Sequence, residues 1–164
     1  MADVHSKEIR SYNMSKIRSK DTKPEIIVRK YLFFRGLRYR KNDKRYPGRP
    51  DMVFPKHKTV LFVNSCFWHK HIGCRHFVLP KSNIEFWNNK LETNRLRDER
   101  NIELLCSDGW NVIVVWECEL KKNLRDIRLV RLYDEIIGIR TQLYINQILP
   151  GKTISNPKFR VQPK

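Results

Sequence analysis

The stretch Thr59-Val60-Leu61-Phe62-Val63-Asn64-Ser65-Cys66-Phe67-Trp68-His69-Lys70-His71-Ile72-Gly73-Cys74-Arg75-His76 decides how the rest of the sequence is read. Its first five residues are apolar or β-branched, as in a buried strand, and they deliver the Cys/His cluster that follows to one edge of a sheet. Cys66, His71 and Cys74 are spaced so that one loop can turn three ligands onto a metal, and thiolates with imidazole suit zinc. His76 is a second candidate for the nitrogen ligand. A fourth ligand must come from elsewhere in the chain.

Working outward, Trp110 to Trp116 is the most apolar run, and it ends immediately before Glu117-Cys118. Residues 83–107 between the two runs read as a charged helix, with Ile84, Trp87, Leu91, Ile102 and Leu105 as its apolar side. A helical crossover between two buried strands makes them parallel, so both end at the same sheet edge and Cys118 completes the metal set. Four protein ligands close such a site, which makes it structural. Cys106 is left over and reads as core. Upstream, Asp21-Thr22-Lys23-Pro24-Glu25 supplies a cap residue, an early proline and an early acid, starting a helix that runs to about residue 35. Ile27, Tyr31 and Phe34 form its expected apolar face. Residues 37–40 alternate as a half-exposed strand, and Pro47-Gly48-Arg49-Pro50 breaks the chain before a strand opened by Asp51. That strand pairs antiparallel with 59–63, which sets Asp51 beside the end of the latter. Residues 123–137 read as a final amphipathic helix.

The whole chain has 164 residues, enough for one domain, and a formal charge of +17 from 34 Lys plus Arg against 17 Asp plus Glu. So large an excess repels itself without an anionic partner, and nucleic acid is the leading one. Residues 1–21, with Lys16 and Arg18, read as a basic arm, and 150–164 as a basic tail. No apolar run approaches a membrane span and the N-terminus lacks a signal peptide's apolar stretch, so no membrane association and an intracellular setting are expected. Phe67 and Trp68 have two uses in a ligand-bearing loop: packing over the metal or stacking against bases. Pro50-Asp51 ahead of a second buried strand has the layout of the PD-(D/E)xK nucleases, in which an Asp and a second acid hold a divalent metal. The place of the D/E-x-K triplet holds Asn64-Ser65-Cys66, however, and a turn with a strand-capping Asp explains Pro-Asp equally well.

The segments Arg10-Ser11, Asn13-Met14, Asp21-Thr22-Lys23-Pro24-Glu25, Pro47-Gly48-Arg49-Pro50-Asp51, Cys66-Phe67-Trp68-His69 and Val115-Trp116-Glu117-Cys118 together resemble the motifs of the very short patch repair (Vsr) DNA mismatch endonucleases, in the same order over residues 5 to about 137. The resemblance implies a single α/β domain over 22–149 with a restriction-endonuclease-like core, a mixed sheet flanked by helices. It implies nicking of double-stranded DNA 5′ to the thymine of a T·G mismatch left by deamination of 5-methylcytosine. In the implied site Asp51 and the main chain of Val63 bind Mg²⁺, His69 activates or places water, and Glu25 supports the hydrated metal. Zinc is held by Cys66, His71, Cys74 and Cys118. Phe67, Trp68 and Trp87 intercalate, and the arm with Lys16 and Arg18 closes over the DNA. A monomer in the bacterial cytoplasm, associated with the nucleoid, is implied, with functional links to a 5-methylcytosine methyltransferase and mismatch-repair proteins. Two departures stand out. Asn64 lies where a well-known member carries a histidine, and Ile72-Gly73 makes the ligand loop one residue longer. The rival readings are a methylation-associated restriction nuclease and a zinc-stabilised DNA-binding module with an impaired active site.

Overall fold

The computed structural model describes residues 20–138, together with Glu8, Ile9, Tyr12, Ser15 and Lys16. The basic arm is therefore described only at those positions. Arg18 and the tail at 150–164 lie outside the described residues.

Helix α1 (Lys23–Phe34) begins after Thr22, with Pro24 in its first turn and Glu25 reaching back to the chain before it. Strands β1 (Arg40–Lys41), β2 (Met52–Phe54) and β3 (Thr59–Asn64) form an antiparallel ladder, and β4 (Asn111–Trp116) adds to β3 in parallel after the 24-residue helix α2 (Ile84–Ser107). Asn64 pairs with Trp116 in that parallel ladder, so the chain leaves both strands at one edge, into the cluster loop and into Glu117-Cys118. Helix α3 (Arg125–Ile137) ends at Gly138, whose φ of 79° suits a residue without Cβ.

Alternation along the strands builds two cores. Met52, Phe54, Leu61, Ile113 and Val115 face Val28 and Leu32 of α1 and Leu129, Leu132 and Ile136 of α3. Val53 and Val60 face the other way and meet Leu105 of α2. Two helices on one face and one on the other give a three-layer α/β domain with a mixed sheet. Among the described residues no helix is long and apolar enough to cross a membrane.

Four local expectations are corrected. The buried face of α1 is Glu25, Val28, Arg29 and Leu32, flanked by Ile27 and Tyr31, while Phe34 is 88% exposed. A buried Glu25–Arg29 ion pair at 2.9 Å takes the place that an apolar pattern assigns to aliphatics. The strand expected at 37–40 enters the ladder only at Arg40, since Leu37 is spent on the core. On α2, Ile84 is exposed and only Leu91 and Leu105 are fully buried. Cys106 is exposed and belongs to no core.

Candidate active site and metal centre

At the shared edge, Cys66, His71, Cys74 and Cys118 bring one ligand atom each to within 4.8 Å of the others. The Sγ of Cys66 is 3.5 Å from Nδ1 of His71 and 3.7 Å from Sγ of Cys74, and Cys118 Sγ is 3.6 Å from the same nitrogen. Donors placed tetrahedrally at about 2.0–2.3 Å from a centre stand roughly 3.3–3.8 Å apart, so the group fits a four-coordinate ion such as zinc. The loop is shaped by its own amides: His71 N–H donates to the Cys66 carbonyl at 2.9 Å, and Gly73 turns at φ 75°. Burial pushes the Cys66 and Cys118 thiols up and holds His71 below its ordinary value, which favours the neutral imidazole that a metal requires. Trp116 stacks on His71 with centroids 3.9 Å apart and planes 5° from parallel. Trp116 is thus a ring stacked directly on the ligand set. His76 is outside the group, and only its N–H points inward, to Cys74 Sγ at 3.4 Å.

Beside the cluster lies a cavity of about 610 Å³ whose lining includes Glu25, Asp51, Val63, Asn64, His69 and Glu117. Asp51 stands at the head of β2, and its Oδ2 accepts the Val63 N–H at 2.7 Å, which fixes the carboxylate against the end of β3. Burial, reinforced by the charge of Glu25, pushes Asp51 up from 3.8 to about 6, although the Val63 N–H acts in the opposite direction. An acid held so reluctant to ionise in an open cavity is suited to a cation. Glu25 is already engaged: it accepts from Asp21 N, from Thr22 N and Oγ1, and from Arg29. Asp21 in turn takes Arg29 at 2.5 Å and Lys41 at 3.2 Å, tying the start of α1 to β1.

His69 Nδ1 lies 2.5 Å from Asp98 Oδ2. A carboxylate accepts only, so Nδ1 carries the proton and Nε2 is left as the basic nitrogen. Asp98 belongs to a face of α2 that runs through Trp87, Leu91, Asn94 and Asp98, at helical intervals. Along it Trp87 meets Phe67 at 5.5 Å and Trp68 at 6.0 Å, Asn94 Nδ2 donates to the Trp68 carbonyl at 3.1 Å, and Glu92, one position along from Leu91, takes Lys70 at 2.6 Å. Helix α2 thus positions the whole loop from Phe67 to Lys70. Phe67, Trp68 and Trp87 gather into one half-buried aromatic cluster, with Phe67 and Trp68 at 5.1 Å. Lys16 is exposed and lies 5.0 Å from the Tyr12 ring.

The family model for the DNA mismatch endonuclease Vsr matches residues 2–75, the stretch that holds Glu25, Asp51, Asn64, His69 and three of the four metal-set residues. A type II nicking enzyme, V.NmeAIP, of Neisseria meningitidis is 53% identical over 137 residues, covering 83% of this chain and 97% of that protein. The DNA mismatch endonuclease Vsr of Escherichia coli K12 is 42% identical over 139 residues, 84% of this chain and 88% of that protein. The chain belongs to the Vsr family of DNA mismatch endonucleases. A second nicking enzyme, V.XorIIP of Xanthomonas oryzae, is 51% identical over 120 residues, 73% and 88% of the two chains.

Two residues at this site receive no role from a reading of the sequence. Asp98 sits in the charged middle of α2, where only its spacing from Trp87, Leu91 and Asn94 marks the face it shares with them. Glu117 accepts the Cys66 N–H at 2.8 Å while lining the cavity, so it joins the loop of candidate metal ligands to the cavity. Its place next to Cys118, at the end of the parallel strand, was the available signal.

Proposed function

We propose that the chain nicks double-stranded DNA on the 5′ side of the thymine in T·G mismatches, with Mg²⁺ held by Asp51 and the Val63 main chain and zinc held by Cys66, His71, Cys74 and Cys118. The observation that carries this reading is the meeting of Asp51, locked to Val63 at 2.7 Å, and the His69–Asp98 pair in one cavity beside an aromatic cluster. A bound Mg²⁺ would offset charge on the scissile phosphate and the leaving oxygen. His69 Nε2 takes the proton of the attacking water, and Asp98 stabilises the imidazolium that results. Glu25, whose carboxylate accepts from Asp21, Thr22 and Arg29, supports the hydrated metal from outside its ligand set and adds its negative charge beside Asp51. Asn64 can orient a water but transfers no proton. In-line attack then leaves the phosphate on the 5′ end of the nicked strand.

Phe67, Trp68 and Trp87 supply the wedge, because a T·G step unstacks at lower cost than a matched one and stacked rings recover part of that cost. Lys16, Arg18 and the wider basic excess supply the phosphate contacts that give affinity without sequence. The hairpin β2–β3 with its parallel neighbour β4 fits a restriction-endonuclease-like core over 22–149, between arm and tail. We take it to work as a monomer in the bacterial cytoplasm, associated with the nucleoid, alongside a 5-methylcytosine methyltransferase and mismatch-repair proteins. The relatives named as type II nicking enzymes fit a second reading, a methylation-associated restriction nuclease that cuts intact sites. Strand nicking on T·G and fully paired duplexes, with Mg²⁺ and with chelator, separates the two: the first reading requires Mg²⁺-dependent cleavage of the T·G duplex alone.

A further inference from the structure

A second cavity of about 420 Å³ adjoins the first, and Gly48, Arg49, Asn64 and His69 are among the residues that line both. The two therefore form one trough with His69 near its middle. Along it the charge balance shifts. Asp51, Glu25 and Glu117 line the first cavity with Lys20, whereas Arg49 lines both and the second adds Arg97 and Asn101. Its lining carboxylate, Asp98, is committed to His69 at 2.5 Å and stands 3.7 Å from Arg97.

Arg49 is presented by a constrained backbone. Its φ is +51° and that of Gly48 is +72°, and a Cβ on Gly48 would stand 3.0 Å from Asn101 Nδ2, so the Pro47–Pro50 turn is pressed onto α2. A residue other than glycine held at positive φ costs free energy that the turn must offset. Among the described residues the Arg49 guanidinium has no ion-pair partner, and Arg97 is 59% exposed. One guanidinium without an ion-pair partner and a second that is largely exposed, both lining one cavity, suit a phosphate, which guanidiniums take in bidentate fashion. Each DNA strand carries a phosphate per ~3.4 Å of helix axis, so a strand with one phosphate at Asp51 and His69 has the next within reach of the second cavity.

We infer that Arg49 and Arg97 form a binding subsite for the backbone phosphate adjacent to the scissile one on the nicked strand. This rests on DNA cleavage at Asp51 and His69, and not on recognition of the mismatch. The test is duplex binding by the full chain in chelator, so that no cutting occurs, over a range of salt, with Arg97→Ala and Arg49→Asn. Alanine suits the exposed helix position and asparagine tolerates positive φ. Each variant should bind roughly 10-fold more weakly, with the slope of log affinity against log salt reduced by about 1. Duplexes carrying a single uncharged methylphosphonate on either side of the cut provide the decisive comparison. At one of the two positions the neutral linkage should weaken the wild type roughly 10-fold and leave the variants unchanged. An equal loss in wild type and variants at both positions, or a wild-type salt slope in the variants, overturns the proposal. Should Arg49→Asn lose its far-ultraviolet circular dichroism, Arg97→Ala alone decides. Equal affinity for T·G and paired duplexes would overturn mismatch recognition and leave this comparison intact.

Discussion

Replacing Asp51 by Asn should make the metal-free protein more stable in mildly alkaline solution while abolishing nicking. The Asp51 carboxyl is pushed up from 3.8 to about 6 by burial and by Glu25. In the native state it therefore keeps a proton that the unfolded chain has already released, and ionising it costs the fold. The sign follows from linkage: the unfolded state binds fewer protons at this group between pH 4 and 6, so its contribution to stability falls as pH rises through that window, and the cost is complete above about pH 7. The difference between 3.8 and about 6 corresponds to about 3 kcal/mol at full ionisation and about half of that at pH 5. Asparagine cannot ionise, and its Oδ1 can still accept the Val63 N–H. Urea unfolding followed by tryptophan fluorescence should show the variant more stable, with the gap about twice as large at pH 8 as at pH 5. Millimolar Mg²⁺ should narrow the gap at pH 8 by stabilising the wild type alone. A gap that is absent at pH 8, or the same at both pH values, would refute the argument that Asp51 is held against its ionised form.

Cys118→Ser should lower thermal stability and bound metal together, and metal analysis of the wild type should return about one ion per chain. Trp68→Ala should reduce discrimination of T·G from paired duplex more than it reduces affinity for plain duplex; equal losses on both would assign the ring to packing alone. Asp98→Asn should lower kcat by roughly 10²-fold or more with DNA affinity retained, as expected when the orienting carboxylate of a general base is lost, and single-turnover kinetics would show it. His69→Ala should be at least as severe, and Asn64→Ala much milder. A variant order with Asn64 more sensitive than His69 would move the proton transfer elsewhere.

Much of this was legible because β3 and β4 are apolar enough to be buried and the helix between them is long enough to force a parallel crossover. From those two facts Cys118 joins Cys66, His71 and Cys74, as it does in the structure. The antiparallel placing of Asp51 beside the end of β3 followed in the same way. What was hidden depended on charged residues serving as interior ones. Glu25 and Arg29 are 4% and 6% exposed, and their pairing rotated the buried face of α1 away from Phe34. The polar middle of α2 read as an interruption of its apolar side, yet Asn94 and Asp98 belong to the face that carries Trp87 and Leu91. Periodicity in hydrophobicity does not register such a face, because the partners that satisfy its polar groups come from a loop some 20 to 30 residues away, as with Trp68 and Asn94 or His69 and Asp98.

The most direct measurement is the cleavage pattern of an end-labelled duplex with one T·G pair, incubated with the wild-type chain and with Asp51→Asn in Mg²⁺. The account predicts a single cut immediately 5′ of the mismatched thymine by the wild type, none in the paired duplex, and none by the variant although it still binds the T·G duplex. Nicking by Asp51→Asn at the wild-type rate, or wild-type cutting that ignores the mismatch, would contradict it.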